Sequence, residues 1–396
     1  MKSNLISEKI DLPIWRSYRL GDVCNILTGK LNSNAAENFG MYPFFTCSKD
    51  NFKINSYSFD CEAILLAGNN AVGDFGIKHY KGKFDVYQRT YVITIKNESE
   101  FDYDFLYHTL KTHLKDFQRY SYGTATQYLT KSILDPFEFK APNIQIQQKI
   151  GHILGTLNKS IEKLHLQNIL LEKMIHSIFK SWFVDFDGQT EFVDSELGQI
   201  PRGWILSKLD DILSLLRDGS HNPPQRVVKG ISFITGGTLN FIIEYDKATY
   251  ITDEDYYKIQ KNYQLKENDI MLSIVGTLGN VAIVRTTDLP LSHQRSAAML
   301  RVNEKANFVF LYCLIKSPGF QLFLDTHQTR TAQPSIFLGT LSSYEFVLPS
   351  TKILNNFFRL GSPIIKKMQD NCSSILILEK IRDSLLPKLM SGEIRV

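Results

Sequence analysis

Cysteine is scarce in this chain: 396 residues hold five, at Cys24, Cys47, Cys61, Cys313 and Cys372. The number is odd and no CxxC pair occurs, which argues against a disulfide framework or a zinc knuckle and for reduced thiols in a cytosol. No run of about 18 apolar residues exists, so no transmembrane helix is expected. The opening stretch MKSNLISEKIDLP lacks the apolar core of a signal peptide. A cytoplasmic protein is the expectation. Charge of one sign is not in large excess either, with 45 Lys and Arg against 41 Asp and Glu and a net +4. That balance permits a nucleic-acid partner without demanding one, because binding needs a local patch rather than a global surplus.

Catalytic signatures are also missing. There is no HExxH, Walker loop or nucleophile elbow. Asn222-Pro223-Pro224-Gln225 resembles the AsnProPro-aromatic motif of amino-methyltransferases, but Gln stands where an aromatic would stack on a flipped base. GlyAsnAsnAlaValGlyAspPheGly at 68–76 runs into strand-like sequence, so it reads as a turn rather than a cofactor loop. Glu138-Phe139-Lys140 near Asp116 could mimic a carboxylate–lysine nuclease site for Mg²⁺. The alternating Phe residues favour a half-buried strand instead. His108 and His113 lie five apart on a helix, poor spacing for a metal, and read as satisfied surface histidines.

What the chain does have, it has twice. Trp15-x4-Leu20-x-Asp22 returns as Trp204-x4-Leu209-x-Asp211, and GluAlaIleLeuLeu at 62–66 as AspIleMetLeuSer at 269–273. Gly73 matches Gly279, Gln88-Arg89 matches Gln294-Arg295, and PheLeuTyr at 105–107 matches 310–312. ThrAlaThrGln at 124–127 is similar to ThrAlaGln at 331–333, Phe137-x-Phe139 to Tyr344-x-Phe346, and Pro142 to Pro349. Two units of this size are no solenoid, whose repeats are about 20–50 residues. They indicate a two-fold pseudosymmetric chain. Each unit should open with a short helix after Trp, continue with strands and turns, and close on a long helix. Asp185–Gly203 reads as the linker.

The long helices carry the clearest periodicity. Ile150, Leu154, Leu157, Ile161, Leu164, Asn168, Leu171, Ile175, Ile178 and Trp182 follow an a/d heptad seam. Asn143 is the expected N-cap, and the helix to Trp182 would span about 58 Å. The second seam runs through Phe357, Gly361, Ile364, Met368, Asn371, Ile375, Leu378, Arg382, Leu385 and Leu389, with Gly361 and Arg382 in core slots. In an antiparallel pair, facing Asn168 with Asn371 also faces Leu171 with Met368, Ile175 with Ile364, Leu164 with Ile375 and Leu154 with Leu385. A single buried Asn pair lowers stability but fixes register. Such a coil would place two heads about 45–60 Å apart, matching some 13–17 base pairs of duplex at about 3.4 Å each.

These motifs together resemble the DNA-specificity subunit of type I restriction–modification systems, over essentially the whole chain. The carriers are GlyGlnIleProArgGlyTrp at 198–204, AspGlySerHisAsnProPro at 218–224 with GlyIleSerPhe at 230–233, SerIleValGlyThrLeuGlyAsnValAlaIle at 273–283, GlyThrAlaThrGlnTyrLeuThrLysSerIleLeu at 123–134 and LeuLeuProLysLeuMetSerGlyGluIle at 385–394. The resemblance implies an α+β protein. Two pseudosymmetric α/β target-recognition domains, at 1–142 and 188–349, would be joined by two long antiparallel coiled-coil helices, at 143–187 and 350–396. It implies sequence-specific binding to a bipartite double-stranded DNA site, no catalysis, and docking of two methyltransferase subunits. Motor/nuclease subunits would join through the complex. S-adenosylmethionine, ATP and Mg would belong to those partners, with no cofactor in this chain. ThrGlyLysLeuAsn at 28–32 departs from the AspGly–His–Pro opening and suggests a first domain of another subtype. The competing readings are a stand-alone DNA adenine methyltransferase or nuclease, and a coiled-coil protein that pairs heads without DNA.

Base readout needs Arg, Lys, Asn or Gln at base edges, with hydroxyls and cations on phosphates. Candidates on expected turns or strand ends are Gln88, Arg89, Gln127, Gln294, Arg295, Arg330 and Gln333, with Thr124 and Thr126 as phosphate donors and Lys30, Lys49, Lys78, Lys131, His221, Asn222 and Arg226 as weaker additions. The resemblance further makes the charged outer face of the central helix, with Lys159, Lys163, Glu172, Lys173 and Lys180, the expected docking face.

Overall fold

The computed structural model describes residues 14–396 apart from Val72, Thr124, Ala125 and Pro223. Contacts divide the chain into two units. One holds 14–163 with Leu376–Val396, the other Leu164–Ile375.

In the first unit a six-stranded sheet runs in the order Cys24–Thr28, Thr90–Ile95, Phe59–Ala67, Ile77–Val86, Tyr42–Phe45, Asn51–Ile54. Thr90–Ile95 and the second half of Phe59–Ala67 read as nearly unbroken apolar runs because both faces are covered there. Ile64, Leu66 and Ile93 point into one core, Ala63, Leu65 and Val92 into another. All pairs are antiparallel except Tyr42–Phe45, which lies parallel to Ile77–Val86. The second unit repeats this order with Leu213–Asp218, Ala297–Val302, Ile270–Ser273 and Val281–Ile283. A three-stranded sheet completes it, Thr249–Ile251, Ile231–Ile234, Leu291–His293, again with one parallel pair. The strand that is continuous as Ile77–Val86 is therefore split in the second unit by the turn at 284–290.

Trp15 and Trp204 do not lead straight into a helix, as the sequence suggested. The strands Arg16–Arg19 and Ile205–Lys208 intervene, pairing with Glu138–Ala141 and Glu345–Leu348, and only a single helical turn follows each. Glu138 and Lys140 point outward on a half-buried strand. The linker region contains a hairpin, Phe192–Ser195 with Gly198–Pro201. The helices bearing PheLeuTyr are capped alike. Asp102 accepts from the Phe105 amide at 2.9 Å and Asn307 from the Phe310 amide at 3.0 Å. Of the two histidines read as surface residues, His108 is in fact buried, and burial pulls its pKa down to about 4.

The central helix is continuous over Ile144–Phe183 and the C-terminal one over Thr351–Ser391. Asn143 caps the first, accepting from the Ile146 amide at 3.1 Å. Within the second unit the helices run antiparallel, and the Asn371 side-chain amide donates to Asn168 Oδ1 at 2.8 Å. Asn371 also donates to Gln167, while Asn168 donates to the Met368 carbonyl and to Cys372 Sγ. Ile161, Ile175, Met368 and Ile375 are buried, and Leu164, Leu171 and Leu378 are half-buried. One slot differs. Ile365, at 1% exposure, takes the fully buried place next to the expected Ile364, which stays partly buried against the same core. Gly361 explains the change of step. A Cβ there would lie 2.6 Å from Val309, so glycine lets the helix Phe308–Lys316 approach. In the first unit the tight approach is at Gly151, where a Cβ would lie 2.6 Å from Asp102 and 2.9 Å from Asp104. Arg382 is accommodated in its core slot by hydrogen bonds to Asp383 and Asn158.

Among the described residues no single helix is long and apolar enough to cross a membrane; in the bent pair Phe308–Lys316 and Pro318–His327, the first helix is core and the second buries only Phe320 and Leu324. The five cysteines are free thiols.

Candidate nucleic-acid interface

In the first unit Gln88 and Arg89 form the turn between Ile77–Val86 and Thr90–Ile95, closed by the Thr90 amide on the Tyr87 carbonyl. Three other segments converge on that turn. The Gln88 amide binds the Leu31 carbonyl and its side chain donates to Asn32 Oδ1 at 2.9 Å. The Arg89 carbonyl accepts from the Gly68 amide at 2.8 Å. The Arg89 guanidinium lies 5.0 Å over the Tyr128 ring, on a short strand paired with Asn69–Asn70. A cation held on an aromatic face in this way is pre-oriented without being neutralised.

The second unit assembles the same turn one residue out of step with the sequence match, so that Gln294, Arg295 and Ser296 stand where Tyr87, Gln88 and Arg89 do. The Arg295 amide binds the Ser220 carbonyl, the Gln294 amide binds that of Ile234, and the Ile274 amide binds that of Ser296. The Ile336 amide bonds to Ile274 as the Leu129 amide bonds to Gly68 in the first unit. This brings Arg330 and Gln333, both exposed, into one loop cluster with the Gly276 turn, whose amide binds the Pro334 carbonyl.

The candidates differ in how free their side chains are. The guanidinium of Arg295 is exposed, with no hydrogen bond or ion pair among the described residues. Gln127 is committed within its loop, since its oxygen accepts from Ser121 and its nitrogen donates to the Gly123 carbonyl. Thr126 is half-buried beside it, and Thr124 lies outside the described residues. Gln294 Oε1 accepts from Ser296 at 3.2 Å. Lys131 pairs with Asp135 at 2.6 Å and His221 with Asp218 at 2.7 Å, both exposed enough for a phosphate to compete. Asn222 is exposed and accepts on its carbonyl from Ser220. Among the weaker additions, Lys30 is exposed and Lys49 pairs with Asp74. Lys78 is turned inward, donating to Ser48, Asp50 and Asn51, and burial lowers its pKa. Arg226 lies 4.2 Å over Phe233.

Sequence reasoning passed over the tyrosines. Tyr120, Tyr122 and Tyr128 are exposed around the first unit's loop. Their interleaving with Arg119, Thr126 and Gln127 was the available signal, since aromatics among polar residues suit nucleic-acid faces. Among the helix residues expected to face outward, Lys159, Lys163, Lys173 and Lys180 are exposed. Glu172 instead accepts from the buried Tyr312 hydroxyl at 3.0 Å.

The type I restriction modification DNA specificity domain model matches twice, over residues 14–172 and 201–384. The type I restriction enzyme EcoDI specificity subunit of Escherichia coli is 26% identical, over 97% of this chain and 89% of that protein. The MjaIX specificity subunit of Methanocaldococcus jannaschii is 31% identical, over 74% and 69%. The crystal structure of the type I restriction-modification system S subunit from M. genitalium superposes with a TM-score of 0.67 at 16% identity, covering 95% of this chain and 96% of that one. With both of its units matched, the chain belongs to the type I restriction–modification DNA specificity family.

Proposed function

We propose that this chain is the non-catalytic specificity subunit of a type I restriction–modification complex, in which each unit reads one half of a bipartite duplex site. The carrying observation is the recurrence of one backbone arrangement with different side chains on it. The turn at Tyr87-Gln88-Arg89 and the turn at Gln294-Arg295-Ser296 are held by equivalent hydrogen bonds. The loops around them carry Lys30, Asn32 and Tyr128 in one unit and His221, Arg330 and Gln333 in the other. Equivalent scaffolds with unlike base-contacting groups suit two unlike half-sites.

Two methyltransferase subunits are the proposed partners, with motor/nuclease subunits joining through the complex. S-adenosylmethionine, ATP and Mg belong to those subunits in this reading, and the setting is the cytoplasm. The central helix supports a scaffold role by carrying Leu166, Ile169, Leu170 and Met174 exposed beside its lysines. An apolar stripe of that kind on a helix is a usual docking element.

Co-expression with the methyltransferase subunit, followed by methylome sequencing, tests the reading. Adenine methylation in a two-part motif with a fixed unread spacer is expected. A continuous motif, or none, overturns it.

A further inference from the structure

The two most exposed large hydrophobic side chains among the described residues are Phe39, at 95%, and Val228, at 98%. A single exposed apolar residue is ordinary. These two, however, occupy the same loop of the two units, between Cys24–Thr28 and Tyr42–Phe45 in one and between Leu213–Asp218 and Ile231–Ile234 in the other.

The loops are anchored alike at both ends. At entry, a Cβ on Gly29 would lie 1.9 Å from the Val86 carbonyl oxygen, and one on Gly219 2.1 Å from that of His293. At exit, a Cβ on Gly40 would lie 2.2 Å from the Ile54 amide nitrogen, and one on Gly230 2.1 Å from the Ile251 carbonyl oxygen. Only glycine permits these approaches. Near its start each loop makes an isolated parallel bridge to the candidate reading turn, Leu31 with Tyr87 and Ser220 with Gln294. Phe39 stands one residue before its exit glycine and Val228 two before. With the backbone pinned there, the side chain before the anchor is held in water rather than buried.

Resting on the specificity reading above, we propose that Phe39 and Val228 are the apolar base contacts of the two half-sites, each packing on thymine C5-methyl groups in the major groove. Apolar side chains recognise that methyl, the one hydrophobic group on a base-pair edge there. A docked loop that begins on the reading turn is placed to deliver it. Lys30 in one loop, and Arg226 and Lys229 in the other, are exposed cations available to the adjoining phosphates.

The test uses the full chain with its methyltransferase subunits and a duplex carrying its methylated motif. Each adenine-methylated half-site contains at least one A·T pair, and every thymine on either strand is replaced in turn by deoxyuridine, which deletes the methyl. Wild-type binding should weaken about fourfold at one thymine or more in each half-site. Phe39→Ala should weaken binding roughly tenfold or more and abolish the response in one half-site only. Val228→Ala should abolish it in the other by a smaller loss. Thermal unfolding of both variants should match wild type, because neither side chain is packed. The proposal is overturned if no thymine matters, if the variants respond as wild type does, or if they lose methyltransferase capture while DNA contacts persist. A wild-type complex that selects no duplex would instead sink the specificity reading itself.

Discussion

The Asn371 side-chain amide donates to Asn168 Oδ1 across 2.8 Å, and Asn371 is 1% exposed with apolar seam positions on either side. The two amides face each other at the register that also opposes apolar residues on either side. Removing one partner strands a buried amide, which costs about 1–3 kcal/mol. Asn168→Leu, which takes this acceptor from the buried Asn371, should therefore destabilise the second unit by about that amount in urea titration. Asn168→Leu/Asn371→Leu should recover much of the loss, giving a coupling above roughly 0.5 kcal/mol. Additive effects would mean that the pair does not act as a unit.

Arg285 and Asp288 make a second buried relationship. Arg285 Nη2 lies 2.8 Å from Asp288, whose carboxylate also accepts from the Tyr245 hydroxyl at 3.0 Å, and Arg285 Nη1 donates to Ser373 on the C-terminal helix. Asp288→Ala leaves a buried guanidinium uncompensated. A loss of about 3–5 kcal/mol is expected in equilibrium unfolding. A loss near that of a surface pair, under about 1 kcal/mol, would contradict the burial argument.

Arg295→Ala removes an exposed guanidinium from the second unit's turn while leaving the backbone bond to Ser220. Methylome sequencing should then find the motif relaxed at a base in one half-site and unchanged in the other. An unaltered motif would strike Arg295 from the reading residues.

One heptad added to each long helix, with the seam kept in phase, lengthens the pair by about 10.5 Å. At about 3.4 Å per base pair, the unread spacer should grow by roughly three pairs. A spacer of the original length would contradict a ruler role.

Acid stability should depend on His293. It is buried, and that burial pulls its pKa down to about 4. Between about 6.5 and 4 the unfolded chain binds a proton that the folded one refuses, so stability falls as pH falls through that window. His79 acts oppositely. Burial lowers its pKa, but hydrogen bonds and charge from Asp104 and Glu62 outweigh this and raise it. Its contribution is full below the unfolded pKa and is lost as pH rises through the raised value. Denaturant midpoints across pH should show a flatter acid limb for His293→Leu. An unchanged limb would remove His293 as a cause.

The long helices were legible because they repeat locally. Heptad spacing reports which face is covered, and the two asparagines fix the register by their index alone. The tandem units were legible for a similar reason, since matching words mark matching strands. The sequence did not tell that Gln127 spends both ends of its amide on Ser121 and Gly123, that Lys78 turns inward, or that His108 is buried. Nor did it single out Phe39 and Val228, whose exposure depends on glycines meeting strands from elsewhere in the fold. Period and propensity are set by neighbours a few residues away, so the sequence by itself determined the helices, the repeat and the register. Which side chains stay free is decided by segments brought together over long separations, and only the tertiary structure settles it.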